Sequence, residues 1–184
     1  VLLAAFALIS SLIDLPLTLY QTFVLEERFG FNKMTFKLWL ADLFKSTLVG
    51  AAIGLPLAAL VLWLMGASGH LWWLWAWCVW MGFNLLLMVA YPTVIAPLFN
   101  KFRPLEDAIL KDRVTALMQR CGFSAKGLFV MDGSKRSAHA NAYFTGLGAA
   151  KRVVFFDTLL ARLSAGETEA VLAHELGHFR HRHV

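Results

Sequence analysis

Residues 169–183 read EAVLAHELGHFRHRH, and the five residues from His174 to His178 within them are HELGH. This is the H-E-x-x-H spacing. On an α-helix, positions i and i+4 share a face, so the imidazoles of His174 and His178 can reach one metal ion. Glu175, one place on, points toward a water on the metal rather than the metal itself. Zinc lowers the pKa of such a water, and a carboxylate beside it accepts the proton as the water attacks a carbonyl. So short a pattern also arises by chance on a polar helix face. Its surroundings argue for the metal: Ser164 and Glu167 form an S-x-x-E capping box, and Ala170, Val171 and Leu172 supply an apolar stretch before the site. The stretch reads as a metal-binding helix starting near Glu167.

Outward from that helix, the chain is too apolar for an ordinary water-soluble domain. Of its 184 residues 59% are hydrophobic, and the mean hydropathy is +0.62. Residues 1–100 are neutral, with Arg28, Lys33, Lys37 and Lys45 against Asp14, Glu26, Glu27 and Asp42. Residues 101–184 hold 13 basic and 8 acidic residues and so carry the whole net charge of +5. This asymmetry predicts a membrane portion, 1–100, followed by a water-facing domain, 101–184. The basic excess suits an anionic lipid surface. It does not point to nucleic acid, because no motif for base or phosphate readout accompanies it. Cys78 and Cys121 lack metal-ligand spacing, and no disulfide between them is expected.

Three membrane helices are expected, at about 1–23, 46–65 and 71–93. Residues 46–100 contain no Asp, Glu, Lys or Arg, and Gly66, Ser68, Gly69 and His70 divide them into a hairpin. Trp72, Trp73, Trp75, Trp77 and Trp80 follow the turn and suit the headgroup level. Asp14 is costly in lipid and is expected to face helices, water or a basic partner. A buried structural hydrogen bond is the simpler role for it than a place in a polar cavity. The loop 26–45 and the domain after Lys101 fall on one side of the membrane. The charge bias makes that side cytoplasmic, with the uncharged turn opposite. The placement is a bacterial inner membrane, or the endoplasmic reticulum in a eukaryote.

In the water-facing part, Pro104 is expected in the first turn of a helix carrying Leu105, Ile109, Val114, Leu117 and Met118, which Gly122 stops. Strands are predicted at Leu128–Met131, Ala142–Thr145 and Lys151–Phe156, with Gly146 and Gly148 as a turn between the last two. A short helix from Asp157 to Leu163 precedes the metal helix. The fold class is thus a multi-pass α-helical membrane portion followed by a small α+β domain with the HExxH helix. Residues 141–145 form a candidate edge strand, able to take up an extended peptide through main-chain hydrogen bonds.

A catalytic zinc needs three protein ligands. His181 shares the face of His174 and His178, but lies about 10 Å along the axis from His174, too far for one ion. His183 faces elsewhere. His139, in the basic loop SKRSAHAN (134–141), is better suited to donate to a substrate than to bind the metal. The third ligand is expected beyond Val184, so these 184 residues alone are expected to hold zinc poorly and to be inactive.

Five segments then carry a resemblance: LEERFGFNK (25–33), IAPLFNKFRPL (95–105), DGSKRSAHANAYFTG (132–146), KRVVFFDTLL (151–160) and EAVLAHELGHFRHRH (169–183). Together they resemble the type I CAAX prenyl protease family of integral-membrane zinc metallopeptidases. The resemblance implies His174 and His178 as zinc ligands, Glu175 as general base, and a glutamate on a later helix as third ligand. It implies that Asn141, Ala142 and Tyr143 pair with substrate, with His139 assisting at the cleft. It also implies further membrane helices around a water-filled chamber, and prenylated or membrane-associated proteins as substrates. The alternative is a non-catalytic membrane assembly or partner-binding module that retains a zinc site.

Overall fold

The computed structural model describes residues 2–145 and 151–180, with the side chains of residues 3 and 178–180 outside that description. The expected turn at Gly146 and Gly148, and His181 and His183, lie outside the described residues.

Among the described residues, three helices are long and apolar enough to cross a membrane: Ala4–Arg28, Phe36–Ala67 and Gly69–Phe99. The first comprises α1 (Leu2–Tyr20), a π-helical turn (Gln21–Leu25) and α2 (Glu26–Arg28). The second is α3 (Phe36–Ala67). The third comprises α4 (Trp72–Ala90), a second π turn (Tyr91–Ile95) and α5 (Ala96–Phe99). The hairpin turn falls where Gly66 to His70 predict it, and Gly69 takes φ +54° there, a backbone that glycine accepts without a Cβ clash. Large apolar side chains along all three helices are exposed, among them Phe6, Leu12, Leu48, Trp63, Trp73 and Leu86.

The helices overrun their expected bounds. The segment 26–45, expected as a loop, is largely helical, because α3 begins at Phe36. Thr35 caps it, its Oγ1 accepting from the Leu38 N–H at 3.3 Å. Lys37, Asp42 and Lys45 are ordinary helix residues; charge ends the buried stretch, not the helix. At 32 residues α3 is about 48 Å long, against roughly 30 Å of hydrocarbon. Its charged first turns therefore project past the lipid. At the other exit, Pro92 and Pro97 do not end the helix. Each lies inside the continuous helix, Pro92 in the π turn and Pro97 at the start of α5, where its missing N–H leaves one bond of the helix unmade.

The rest of the described residues form a four-stranded sheet, order β1-β2-β4-β3, backed by helices. The strands are β1 (Phe102–Pro104), β2 (Gly127–Met131), β3 (Ala142–Thr145) and β4 (Arg152–Phe156). β2 and β4 run parallel, and β1 and β3 are antiparallel edges. Pro104 lies in β1, not in a helix, and an outer strand tolerates a residue with no N–H. The following helix, α6 (Ala108–Arg120), is capped instead by Asp107, whose carboxylate accepts from the Leu110 N–H at 3.0 Å. After β4 come the short α7 (Asp157–Leu160) and then α8 (Ala165–Arg180). Alternate strand residues Leu128, Val130, Ala142, Val153 and Phe155 face Leu110, Val114 and Met118 of α6 and Leu172 and Leu176 of α8. That cluster is the core.

Candidate metal centre and peptide edge

The HELGH helix is held at its start by a reciprocal cap. The Ser164 N–H donates to the Glu167 carboxylate at 2.8 Å and the Glu167 N–H donates to the Ser164 Oγ at 3.4 Å. The Ser164 hydroxyl and N–H hold the Glu167 carboxyl below its ordinary range. One turn on, Glu169 accepts from Arg113 and Arg120 of α6, each at 3.3 Å. Leu172 and Leu176 are fully buried against the sheet. At 100° per residue, roughly, position 174 falls on the opposite side of α8 from this core face, and position 178 lies within about 40° of position 174. His174 is exposed and Glu175 half-buried. The backbone of α8 continues unbroken through residue 180, so positions 174 and 178 stand one turn apart on one helix. Imidazole donors at this spacing, on a face turned from the core, fit a zinc ion as two of its ligands. Among the described residues no three His, Cys, Asp or Glu side chains gather as a metal-holding group.

The candidate edge is an edge in the sheet. β3 pairs only with β4 among the described strands, with Ala142 opposite Phe155 and Tyr143 opposite Val154. Ala142 is buried in the same cluster as Leu172 and Leu176, so one core holds β3 and α8 in fixed relation. The Asn141 carbonyl accepts from the Phe156 N–H at 2.9 Å, and its Oδ1 accepts from the Ala142 N–H at 2.8 Å. Tyr143 packs edge-on to Phe156 with ring centroids 6.1 Å apart. Burial pushes its phenol up, and Tyr91 adds to the rise. His139 is exposed and stacks on Phe31, centroids 4.1 Å apart, while its carbonyl accepts from the Thr158 hydroxyl at 2.7 Å.

Sequence reasoning missed how the basic loop is held. A 3-10 turn at Gly133–Lys135 leads into Arg136, whose guanidinium reaches the membrane helices. Its Nε and Nη2 donate to the two oxygens of Asp42 on α3 at 2.8 and 3.1 Å. Nη1 donates to Asn100 Oδ1 at 2.9 Å and Nη2 to the Phe99 carbonyl at 2.6 Å. The pair is mostly buried, with 20% of the Arg136 and 16% of the Asp42 side chain exposed. Backbone bonds run alongside: the Lys33 N–H donates to the Arg136 carbonyl at 3.1 Å and the Ala138 N–H to the Phe31 carbonyl at 2.8 Å. Asp132 closes a second tie, accepting from the Lys101 N–H at 2.6 Å and pairing with Lys135. Burial pushes its carboxyl up, but Lys135 and the Lys101 N–H outweigh that and hold it below the ordinary range. On the domain side, the Asp157 carboxylate accepts from the N–H and hydroxyl of Ser134. The only sequence signal was an arginine in a polar loop beside a neutral membrane part whose few carboxylates had no assigned partner.

Residues 1–101 match the family profile described as CAAX prenyl protease N-terminal, five membrane helices, and residues 104–184 match Peptidase family M48. The chain belongs to the CAAX prenyl protease family of M48 peptidases. It is 47% identical over 179 residues to CAAX prenyl protease 1 of Saccharomyces cerevisiae, a match covering 96% of this chain and 39% of the relative. The homolog from Arabidopsis thaliana is 41% identical, over 95% of this chain and 42% of the relative. The crystal structure of S. mikatae Ste24p superposes with a TM-score of 0.90 at 47% identity, over 98% of this chain and 42% of that one. The chain thus spans about two-fifths of the length of these relatives. The resemblance carried by the five segments, and the fold class read from the hydropathy and the order of elements, are both borne out.

Proposed function

We propose that this chain carries the zinc-binding helix and the substrate edge of a membrane zinc endopeptidase acting on prenylated or membrane-associated proteins. The observation that carries the proposal is the HELGH helix, with His174 exposed, fixed through one core to an open edge strand. His174 and His178 would hold the zinc, which when bound supplies an electrophile that makes water a competent nucleophile near neutral pH. Glu175 takes the proton from the attacking water on its carboxylate and delivers it to the departing amine. Asn141, Ala142 and Tyr143 offer main-chain groups to an extended peptide, and His139 donates to it at the cleft. Similarity to proteins named CAAX prenyl protease 1 supports a prenylated substrate. Their eukaryotic sources favour the endoplasmic reticulum over a bacterial membrane, and the charge asymmetry of the two parts favours residues 101–184 on the cytoplasmic side.

The test is Glu175→Ala in the full-length protein. Zinc content should match wild type while peptide cleavage falls by at least about a thousandfold. Cleavage at the wild-type rate would overturn the proposed role.

A further inference from the structure

We propose that Arg136 is a positioning residue that selects the bond to be cut, by holding the peptide-taking edge at one distance from the membrane spans. This rests on the proposed function. The forked guanidinium bonds Asp42 on α3 through two nitrogens and also closes on Phe99 and Asn100 at the end of α5. A bidentate fork fixes orientation as well as distance, which a lysine cannot do. Five residues further on, Asn141 opens into the edge strand. That interval is short and pinned along its length: Ala138 to Phe31, His139 to Thr158, Asn141 to Phe156. A shift at Arg136 therefore has little slack in which to be absorbed before β3.

A substrate with a lipid or other apolar part in the membrane, and its backbone along β3, is held at two points. The bond presented to Glu175 then depends on the separation of those points. A soluble peptide is held only at β3, and the separation is irrelevant to it. Arg136 should accordingly matter for the first kind of substrate and not for the second.

The test uses the full-length enzyme in detergent and two variants, Arg136→Lys and Asp42→Asn. Each is given a prenylated peptide and the same peptide without the lipid, and the cut bonds are read by mass spectrometry alongside kcat and KM. The expected result on the prenylated peptide is cleavage spread to neighbouring bonds, with KM raised at least about threefold. On the unlipidated peptide kcat should stay within about twofold of wild type. Unchanged cut sites with equal losses on both substrates, or failure of both variants to fold, would make Arg136 a fold-stabilising residue and overturn the proposal. Failure of wild type to cut either peptide would instead overturn the proposed function, and this inference with it.

Discussion

Thr168 sits on the buried face of α8 with 1% of its surface exposed, and its hydroxyl has no hydrogen-bond partner among the described residues. A buried hydroxyl without a partner costs its desolvation and returns nothing. Thr168→Val keeps the shape and removes the cost, so it should be neutral or stabilising by up to about 1 kcal/mol, read by thermal unfolding in detergent. Asp132 behaves oppositely. Its carboxyl is held below the ordinary 3.8, so the ionised form is the one that favours folding. That stabilisation is complete above the unfolded value and is lost as pH falls through the lower folded value. Asp132→Asn should therefore cost about 1 kcal/mol near neutrality. The gap between variant and wild type should close as unfolding is measured below about pH 4. A gap independent of pH would show that the charge of Asp132 is not what ties Lys101 and Lys135 together.

The elements differ in how plainly the sequence announces them. The metal helix was legible because Ser164 and Glu167 mark its start and Leu172 and Leu176 keep helical spacing. β4 was legible because Val153, Val154, Phe155 and Phe156 form a β-branched and aromatic run bounded by a charge at each end. β1 was not: three residues containing a proline have no periodicity, and only pairing with β2 makes them a strand. The first ten residues of α3 were missed for a different reason. Hydropathy locates the lipid-buried stretch, and a helix that projects beyond it looks like a polar loop. In the core, Leu176 faces the sheet from the same turn of α8 that carries His174 and Glu175. Leu176→Ala should lower unfolding stability by about 3 kcal/mol and weaken zinc retention with it, because the cavity opens beneath the ligand helix. A loss of stability below about 1 kcal/mol would mean that α8 is held by its Glu169 ion pairs rather than by the core.

Across the whole molecule, a mostly buried ion pair and an aromatic stack are among the contacts that join the two parts. Arg136 meets Asp42, Phe99 and Asn100, and Phe31 stacks on His139. The proposed chemistry of the site can be read from the sequence because the H-E-x-x-H pattern writes its candidate donors at fixed spacing. The attachment of the site to the membrane was not, since Asp42 and Arg136 are 94 residues apart and nothing local relates them. The proposal to test is that the HELGH helix serves peptide hydrolysis at zinc, with Glu175 as the base. The most direct measurement is zinc content and cleavage of a prenylated peptide on the full-length protein and its Glu175→Gln variant, purified side by side. About one zinc per chain is expected in both, with cleavage in wild type alone. Zinc bound in both with no cleavage by either, or equal cleavage by both, would contradict it.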